Sequence, residues 1–267
     1  MRLLKLLSKM RLLKLNMKNS DIKRFCLNIL LILMMTLECC FMASCQKRGA
    51  VCFTFDDFGG GNWLKADDIF KKYGAHATFL VCGELTPEHI EVMKKLQSAG
   101  HTVGLHTFNH RNASPRPEGL DEAGYFEEQI KPQLDVCRSN GIEIRAFAYP
   151  NNARDEEIDK YLFQYFDYLR AGVGKERKPV FIPLENVHKK MILPGTGIGE
   201  YYKSDINELK KLLSAAAESN TLIVFFSHDI APGAKHVSMP SEWLEELLKH
   251  ASELDMRIIG AGELDLL

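Results

Sequence analysis

No glycine-rich phosphate cradle, GxGxxG or GxxxxGK[ST], follows the first strand-like segment of this 267-residue chain, which removes the simplest nucleotide-binding readings. No CxxC spacing occurs among the seven cysteines, so neither a redox motif nor a disulfide framework is indicated. The apolar run 25–37 is thirteen residues long with Asn28 inside it, too short to cross a bilayer. An excess of one charge sign is missing too, the formal net charge being -1. That balance hides an asymmetry: residues 1–24 carry eight Lys and Arg against Asp21 alone, whereas 45–267 hold 26 basic and 33 acidic side chains. The larger part is therefore acidic and has no general attraction for polyphosphate, which argues against a nucleic-acid partner and favours a neutral or cationic substrate. With 46% hydrophobic residues, 26% charged, 19 Gly and 10 Pro, the composition excludes disordered, collagen-like and multi-span membrane classes.

A basic start, a short apolar run and small residues after it read as an export signal over 1–45. Met42-Ala43-Ser44-Cys45 resembles the lipobox of bacterial lipoproteins, which makes Cys45 a lipidation candidate and the membrane a partner only through that anchor; a signal-anchor helix is the alternative. Met-Arg-Leu-Leu-Lys-Leu stands at 1–6 and again at 10–15, so the start is expected at Met10 or Met17. Beyond this segment Cys52, Cys82 and Cys137 sit among apolar neighbours and read as small buried hydrophobes.

From residue 50 short apolar runs alternate with amphipathic stretches. Strands are predicted at 50–55, 77–81, 102–105, 144–148, 168–171, 190–193, 222–226 and 257–259, and helices at 63–73, 86–99, 121–140, 155–164, 204–219 and 240–254. Gly74, Gly100 and Gly141 mark helix ends, and Thr86-Pro87-Glu88 marks a start. Serial βα units of this number predict one α/β domain over 46–267, a distorted (β/α) barrel of about seven parallel strands, with chemistry past the C-terminal strand ends.

Those ends carry the acids and histidines. The first strand runs into Asp56-Asp57 and Gly59-Gly60-Gly61, the third into His106-Thr107-Phe108-Asn109-His110, and the seventh into Ser227-His228-Asp229. His106 and His110, four apart, can address one cation if the chain turns helical after its strand. Asp56 or Asp57 would complete a two-His, one-carboxylate set on Zn²⁺ or a similar ion with a position open for water. The other carboxylate is then placed to take the water's proton, and His228 to protonate a leaving group. Trp63, after the glycine loop, either stacks on a sugar ring or packs at a helix start. The remaining histidines, 76, 89, 101, 188, 236 and 250, have no partner at ligand spacing, and Gly195-Thr196-Gly197-Ile198-Gly199 reads as a long barrel loop.

Thr54-Phe55-Asp56-Asp57, His106-Thr107-Phe108-Asn109-His110 and Phe226-Ser227-His228-Asp229 resemble the TFDD, H-[ST]-x-x-H and late histidine motifs of the polysaccharide deacetylase family, the carbohydrate esterases with a NodB-homology domain. The resemblance implies a metal-dependent hydrolase removing acetyl groups from N-acetylated, or sometimes O-acetylated, glycans. It makes Asp57, His106 and His110 the ligands of a divalent metal, Zn²⁺ before Co²⁺ or Ni²⁺. It makes Asp56 the base, His228 the acid, the backbone N–H of Asn151 an oxyanion donor, and Tyr149 and Pro150 substrate contacts. Two departures stand out. Phe58 replaces the usual Gly after the paired Asp, and Ala148 stands where the family commonly has an Arg that pairs with the base. Arg145 and Arg154 are the replacements in sequence range, both reading as surface residues; the family's Asp-Trp motif has no match around Tyr165-Phe166-Asp167-Tyr168. A non-catalytic glycan-binding lipoprotein, and a hydrolase of another C–N or ester bond, are the alternative readings. The sequence shows no signal for an oligomeric state.

Overall fold

The structure, a computed structural model, describes residues 48–173 and 178–267. The export-signal reading, Cys45 and the two alternative starts lie outside the described residues. All described residues fall in one compact unit, Lys47–Leu267, and among them no helix is long and apolar enough to cross a membrane.

The chain runs β1 (Ala50–Asp57), α1 (Gly61–Lys72), β2 (Thr78–Val81), α2 (Pro87–Ser98), β3 (Thr102–Leu105), α3 (Glu122–Gln129), α4 (Lys131–Ser139), β4 (Ala146–Ala148), α5 (Glu156–Leu162) and β5 (Tyr168–Gly172). It continues through β6 (Ile182–Pro183), β7 (Met191–Gly197), α6 (Ile206–Glu218), β8 (Thr221–Ser227), β9 (Ile230–Ala231), β10 (Met239–Pro240), α7 (Ser241–Glu253) and β11 (Arg257–Ile258). Strands β1, β2, β3, β4, β5, β7 and β8 follow one another in parallel, and β8 pairs back onto β1 along Ala50–Phe55, closing a seven-stranded barrel. β11 lies parallel beside the start of β1, and β6 adds an antiparallel edge to β8. The expected barrel is therefore present.

Alternation along each strand divides the core in two. On β1, Val51, Phe53 and Phe55 join the outer cluster against the helices, whereas Ala50 and Cys52 face the barrel interior with Leu80, Ala146, Ala148, Tyr168, Leu193, Leu222 and Val224. The same parity carries Asp56, His106, Arg170 and His228 inward at the upper ends of their strands. The lower end is plugged by the short helix Ala261–Leu266, whose Ala261 and Leu264 belong to the inner cluster. Its Ala261 and Gly262 N–H groups donate to Thr78 and Thr102 hydroxyls at 2.8 Å each.

The structure departs from the expected elements in three places. The helix predicted over 121–140 breaks at Ile130 (φ -127°, ψ -50°) into α3 and α4, because Pro132 lacks an N–H and its ring cannot pass the carbonyl four residues back. The stretch 195–199 is not all loop: β7 extends through Gly197, paired to β8 at Thr196 and Gly197. The short strands β6, β9 and β10 were not predicted, being two residues each. Helix α2 is capped by Thr86 with Pro87 in its first turn, as its sequence indicates. All three described cysteines are unpaired, and burial raises the Cys52 and Cys137 thiols to about 12.

Below the barrel His101 is fully buried between two elements. Its Nδ1 accepts from the Ala77 N–H at 3.0 Å, so its Nε2 carries the proton and faces Asp67 at 3.2 Å. Burial lowers its pKa, Asp67 opposing, so the unfolded chain takes up this proton before the folded one does. His101's contribution is complete above the ordinary histidine pKa and is lost as pH falls through the lower folded value. Urea midpoints at pH 7.5 and 5.5 should drop more steeply for wild type than for His101→Asn, which keeps an acceptor for Ala77; equal drops would remove His101 from the account.

Candidate metal and acid–base site

Period-two alternation separates the two carboxylates that the sequence places side by side. Asp56 points into the barrel and is buried; Asp57 has a left-handed backbone (φ 71°) and a side chain 51% exposed at the rim. Asp57 Oδ1 stands 3.7 Å from His106 Nε2 and 3.8 Å from His110 Nε2. Donor atoms bound tetrahedrally to a zinc-sized ion at about 2.0–2.2 Å lie about 3.3–3.6 Å apart, so the trio fits one divalent cation. His106 Nδ1 donates to the Ala148 carbonyl at 2.9 Å, which fixes the tautomer and leaves the Nε2 lone pair for a metal. Asp57, His106 and His110 thus form the candidate metal centre; of the two carboxylates, Asp57 is the one in it.

The histidines do not converge through a helical turn. Residues 106–110 are irregular, with Thr107 at φ 71° and His110 at φ 52°. Neighbouring segments hold this path: Gly83 N–H donates to the Thr107 carbonyl at 3.0 Å, and Phe108 N–H to the carbonyl of Gln129, the last residue of α3, at 2.7 Å. A strained backbone kept by surrounding hydrogen bonds is common where side chains must meet.

The cation missing at position 148 comes from the next strand. The β4–β5 register pairs Ala148 with Arg170, and the buried Arg170 guanidinium makes an ion pair with Asp56 Oδ2. Its Nη1 donates to Asn152 Oδ1 at 2.8 Å, and its Cζ lies 4.6 Å from the centre of the Phe226 ring. Gly195 leaves it room, since a Cβ there would stand 3.0 Å from the Arg170 Cδ. Burial alone would raise the Asp56 pKa, but Arg170, with His106 and His228, more than offsets it, and the carboxyl is held below its usual range. Asp56 Oδ1 is buried with no hydrogen-bond partner. Arg145 and Arg154 do not serve here: Arg145 is tied to Asp167 and Asp265, and Arg154 to Asp159. Arg170 was missed because 114 residues separate it from Asp56; only an inward parity shared with Asp56 could have flagged it.

His228 Nδ1 donates to the Val237 carbonyl at 3.2 Å, and its Nε2 stands 3.8 Å from Asp57 Oδ2. Trp63 is not at the cleft surface. It is fully buried, one of the largest side chains of the outer core, and its Nε1–H donates to the His228 carbonyl at 3.1 Å. Stacking on a sugar is thereby excluded, because the ring is fully buried, with Phe58 and Phe79 packed against it. Gly59 permits this arrangement, as a Cβ there would lie 2.3 Å from Trp63 Nε1. Phe58, where the family usually has Gly, stacks on His89 at 3.8 Å.

A cleft of about 980 Å³ opens over these groups, lined by Asp56, His106, His110, Tyr149, Asn151, Asn152, Arg170 and His228 and continuing to Tyr201 and Glu208. Tyr149 reaches it but is buried, and its hydroxyl donates to Asp159 Oδ1 at 2.7 Å; Pro150 is buried and is not part of the lining. Asn151 is exposed on the wall with φ 51°, its side-chain amide donating to Asn112 Oδ1.

Co²⁺ titration followed by absorption should show one ion per chain, with affinity reduced about 10²-fold or more by His106→Ala, His110→Ala or Asp57→Ala and retained in His228→Ala. Binding indifferent to Asp57→Ala would remove that residue from the centre.

Residues 43–166 match the family described as Polysaccharide deacetylase. A chitooligosaccharide deacetylase of Azorhizobium caulinodans is 32% identical over 114 residues, 42% of this chain and 53% of that protein. The peptidoglycan-N-acetylmuramic acid deacetylase PdaA of Bacillus subtilis is 27% identical over 99 residues, 37% of this chain and 34% of that protein. The chain thus spans between about a third and a half of the length of these curated relatives. Among solved structures, the chitin deacetylase of Colletotrichum lindemuthianum superposes with a TM-score of 0.58 at 19% identity, over 82% of this chain and 88% of that one. A CE4-family pseudoenzyme from Bacillus anthracis superposes at 0.54 with 15% identity, over 81% of this chain and 65% of that one. Identities this low show the shared fold alone. The matched stretch, less than half of the chain, carries the paired Asp and both histidines of the candidate centre, and it is over this stretch that the chain is similar to the polysaccharide deacetylase family.

Proposed function

We propose that this chain is a metal-dependent hydrolase that removes acetyl groups from N-acetylated glycans. The observation that carries the reading is the split fate of the paired carboxylates: Asp57 faces two imidazole nitrogens at ligand spacing, while Asp56 lies buried against Arg170 with one oxygen unpartnered. A divalent ion held by Asp57, His106 and His110 would supply an acidified water and polarise the acetyl carbonyl. Asp56 Oδ1 is the acceptor for the water's proton. Arg170 keeps that carboxylate ionised and oriented through the other oxygen, so the base is ready without reorganising. The Asn151 N–H, on the cleft wall, donates to the oxygen that becomes negative as the carbonyl is attacked.

His228 completes the cycle. Its Nδ1–H is committed to the Val237 carbonyl, so Nε2 is the nitrogen that delivers a proton to the departing amine. Asn62 and Trp63 hold this segment through Asp229 Oδ2 at 2.8 Å and the His228 carbonyl at 3.1 Å. The non-catalytic alternative drew its support from Ala148, and Arg170 removes that support. Cleavage of another C–N or ester bond remains an outcome of the substrate test. The export reading of 1–45 with Cys45 lipidated would place the reaction on the outer side of a membrane.

The deciding experiment measures acetate release from N-acetylglucosamine oligomers, peptidoglycan and acetylxylan with Zn²⁺ or Co²⁺, and with chelator. Metal-dependent release from either N-acetylated substrate is expected; release from none of the three, with one ion bound per chain, overturns the proposal. His228→Ala should keep its metal and lose about 10²–10⁴ in kcat; loss of metal together with activity would remove its assignment as acid. Arg170→Met should leave Asp56 as a buried, unpaired charge and cost about 3–5 kcal/mol of stability. Asp56→Asn with Arg170→Met should recover most of that loss in a denaturant titration while staying inactive. If the single variant proves as stable as wild type, the ion pair is not what holds Asp56.

A further inference from the structure

With Trp63 buried, the cleft needs another surface on which a sugar ring can rest. Tyr201 is the only one of the four most exposed large hydrophobic side chains of the described residues, Tyr165, Val180, Tyr201 and Leu266, that lines the cleft, and it is 60% exposed. Isolated exposed aromatics are ordinary; this one is built in. Its N–H donates to the His236 carbonyl at 2.9 Å, and its ring meets Tyr202 edge-on at 5.2 Å. Tyr202 in turn meets Phe226 edge-on at 5.1 Å, and Phe226 lies under the Arg170 guanidinium that pairs with Asp56. A continuous series of edge-on ring contacts thus runs from the exposed tyrosine to Phe226 and the Arg170 guanidinium above it. The volume of the cleft, about 980 Å³, is at the top of the usual range for small-ligand pockets, about 300–1,000 Å³.

We propose that Tyr201 is a specificity-determining residue, the stacking floor for a second sugar ring next to the one that loses its acetyl group, so that the chain acts on oligomeric glycans rather than monosaccharides. The inference rests on the deacetylase reading and deepens it. A pyranose presents an apolar C–H face, which an aromatic face accepts, while its equatorial hydroxyls need polar partners at the edge. Lys203, Ser204 and Glu208 supply such groups on the same stretch of wall. Tyr201 acts through binding, so its effect belongs in KM.

The test compares kcat/KM on N-acetylglucosamine oligomers of one to five residues for wild type, Tyr201→Ala, Tyr201→Trp and, as a control outside the cleft, Tyr165→Ala. Wild type should gain efficiency from monomer to oligomers. Tyr201→Ala should lose about tenfold on the oligomers (about 1.4 kcal/mol) through KM, Tyr201→Trp should restore it, and Tyr165→Ala should match wild type. Calorimetric binding of glucosamine tetramer, which has no acetyl group to lose, should weaken by a similar factor in Tyr201→Ala. Acetate release whose length dependence survives in Tyr201→Ala overturns the inference and leaves the deacetylase reading standing. No acetate from any oligomer with wild type overturns that reading, and tetramer binding that is absent or indifferent to Tyr201→Ala then overturns the inference as well.

Discussion

A carboxylate inside a closed barrel is stable only beside a cation, and the buried pair between Asp56 and Arg170 is the interaction on which the upper end of this barrel depends. Removing an ion from water costs several kcal/mol, and only close geometry with further hydrogen bonds offsets it. The surroundings supply that geometry. Asn152 accepts from one guanidinium nitrogen, Phe226 lies against its face, and Gly195 leaves the space through which the side chain runs. Ala148, paired with Arg170 across the β4–β5 register, is what the site has in place of a second large side chain.

The same pair divides labour between two adjacent acids. With Oδ2 held by Arg170, Asp56 is kept ionised and left with one unpartnered oxygen, which suits the proposed base. Asp57, turned outward by its left-handed backbone, is free to join His106 and His110. One dipeptide therefore turns one carboxylate to Arg170 and the other to the two histidines because successive side chains on a strand point to opposite sides and the strand ends there. His228 is oriented by a backbone carbonyl rather than by an acid, and the indole of Trp63 secures the chain behind it. The aromatic residue that looked like a binding surface thus supports the His228 segment from within the core.

Much of the architecture was legible before any coordinates. Alternating apolar runs and amphipathic segments, each of βα length, predicted the barrel, and the three strand ends with acids and histidines predicted which side chains it brings together. Local backbone was less legible. The expected helical turn between His106 and His110 is instead a left-handed path stabilised by Gly83 and Gln129, partners distant in sequence. Pro132 did announce the break between α3 and α4, but a helical hydrophobic period running through it concealed the signal.

By itself the sequence determined which residues of a strand share a face, because period-two alternation is a property of the strand and needs no partner. It also determined that Asp56, Asp57, His106, His110 and His228 share one end of the barrel, since parallel strands joined by helices all finish on the same side. Tertiary structure alone decided which arginine meets Asp56, because register between β4 and β5 sets Arg170 opposite Ala148 and no local pattern encodes that pairing. It also decided that Trp63 is core and Tyr201 is surface. Whether a ring is covered depends on what neighbouring loops place over it, and that is fixed only when the barrel closes.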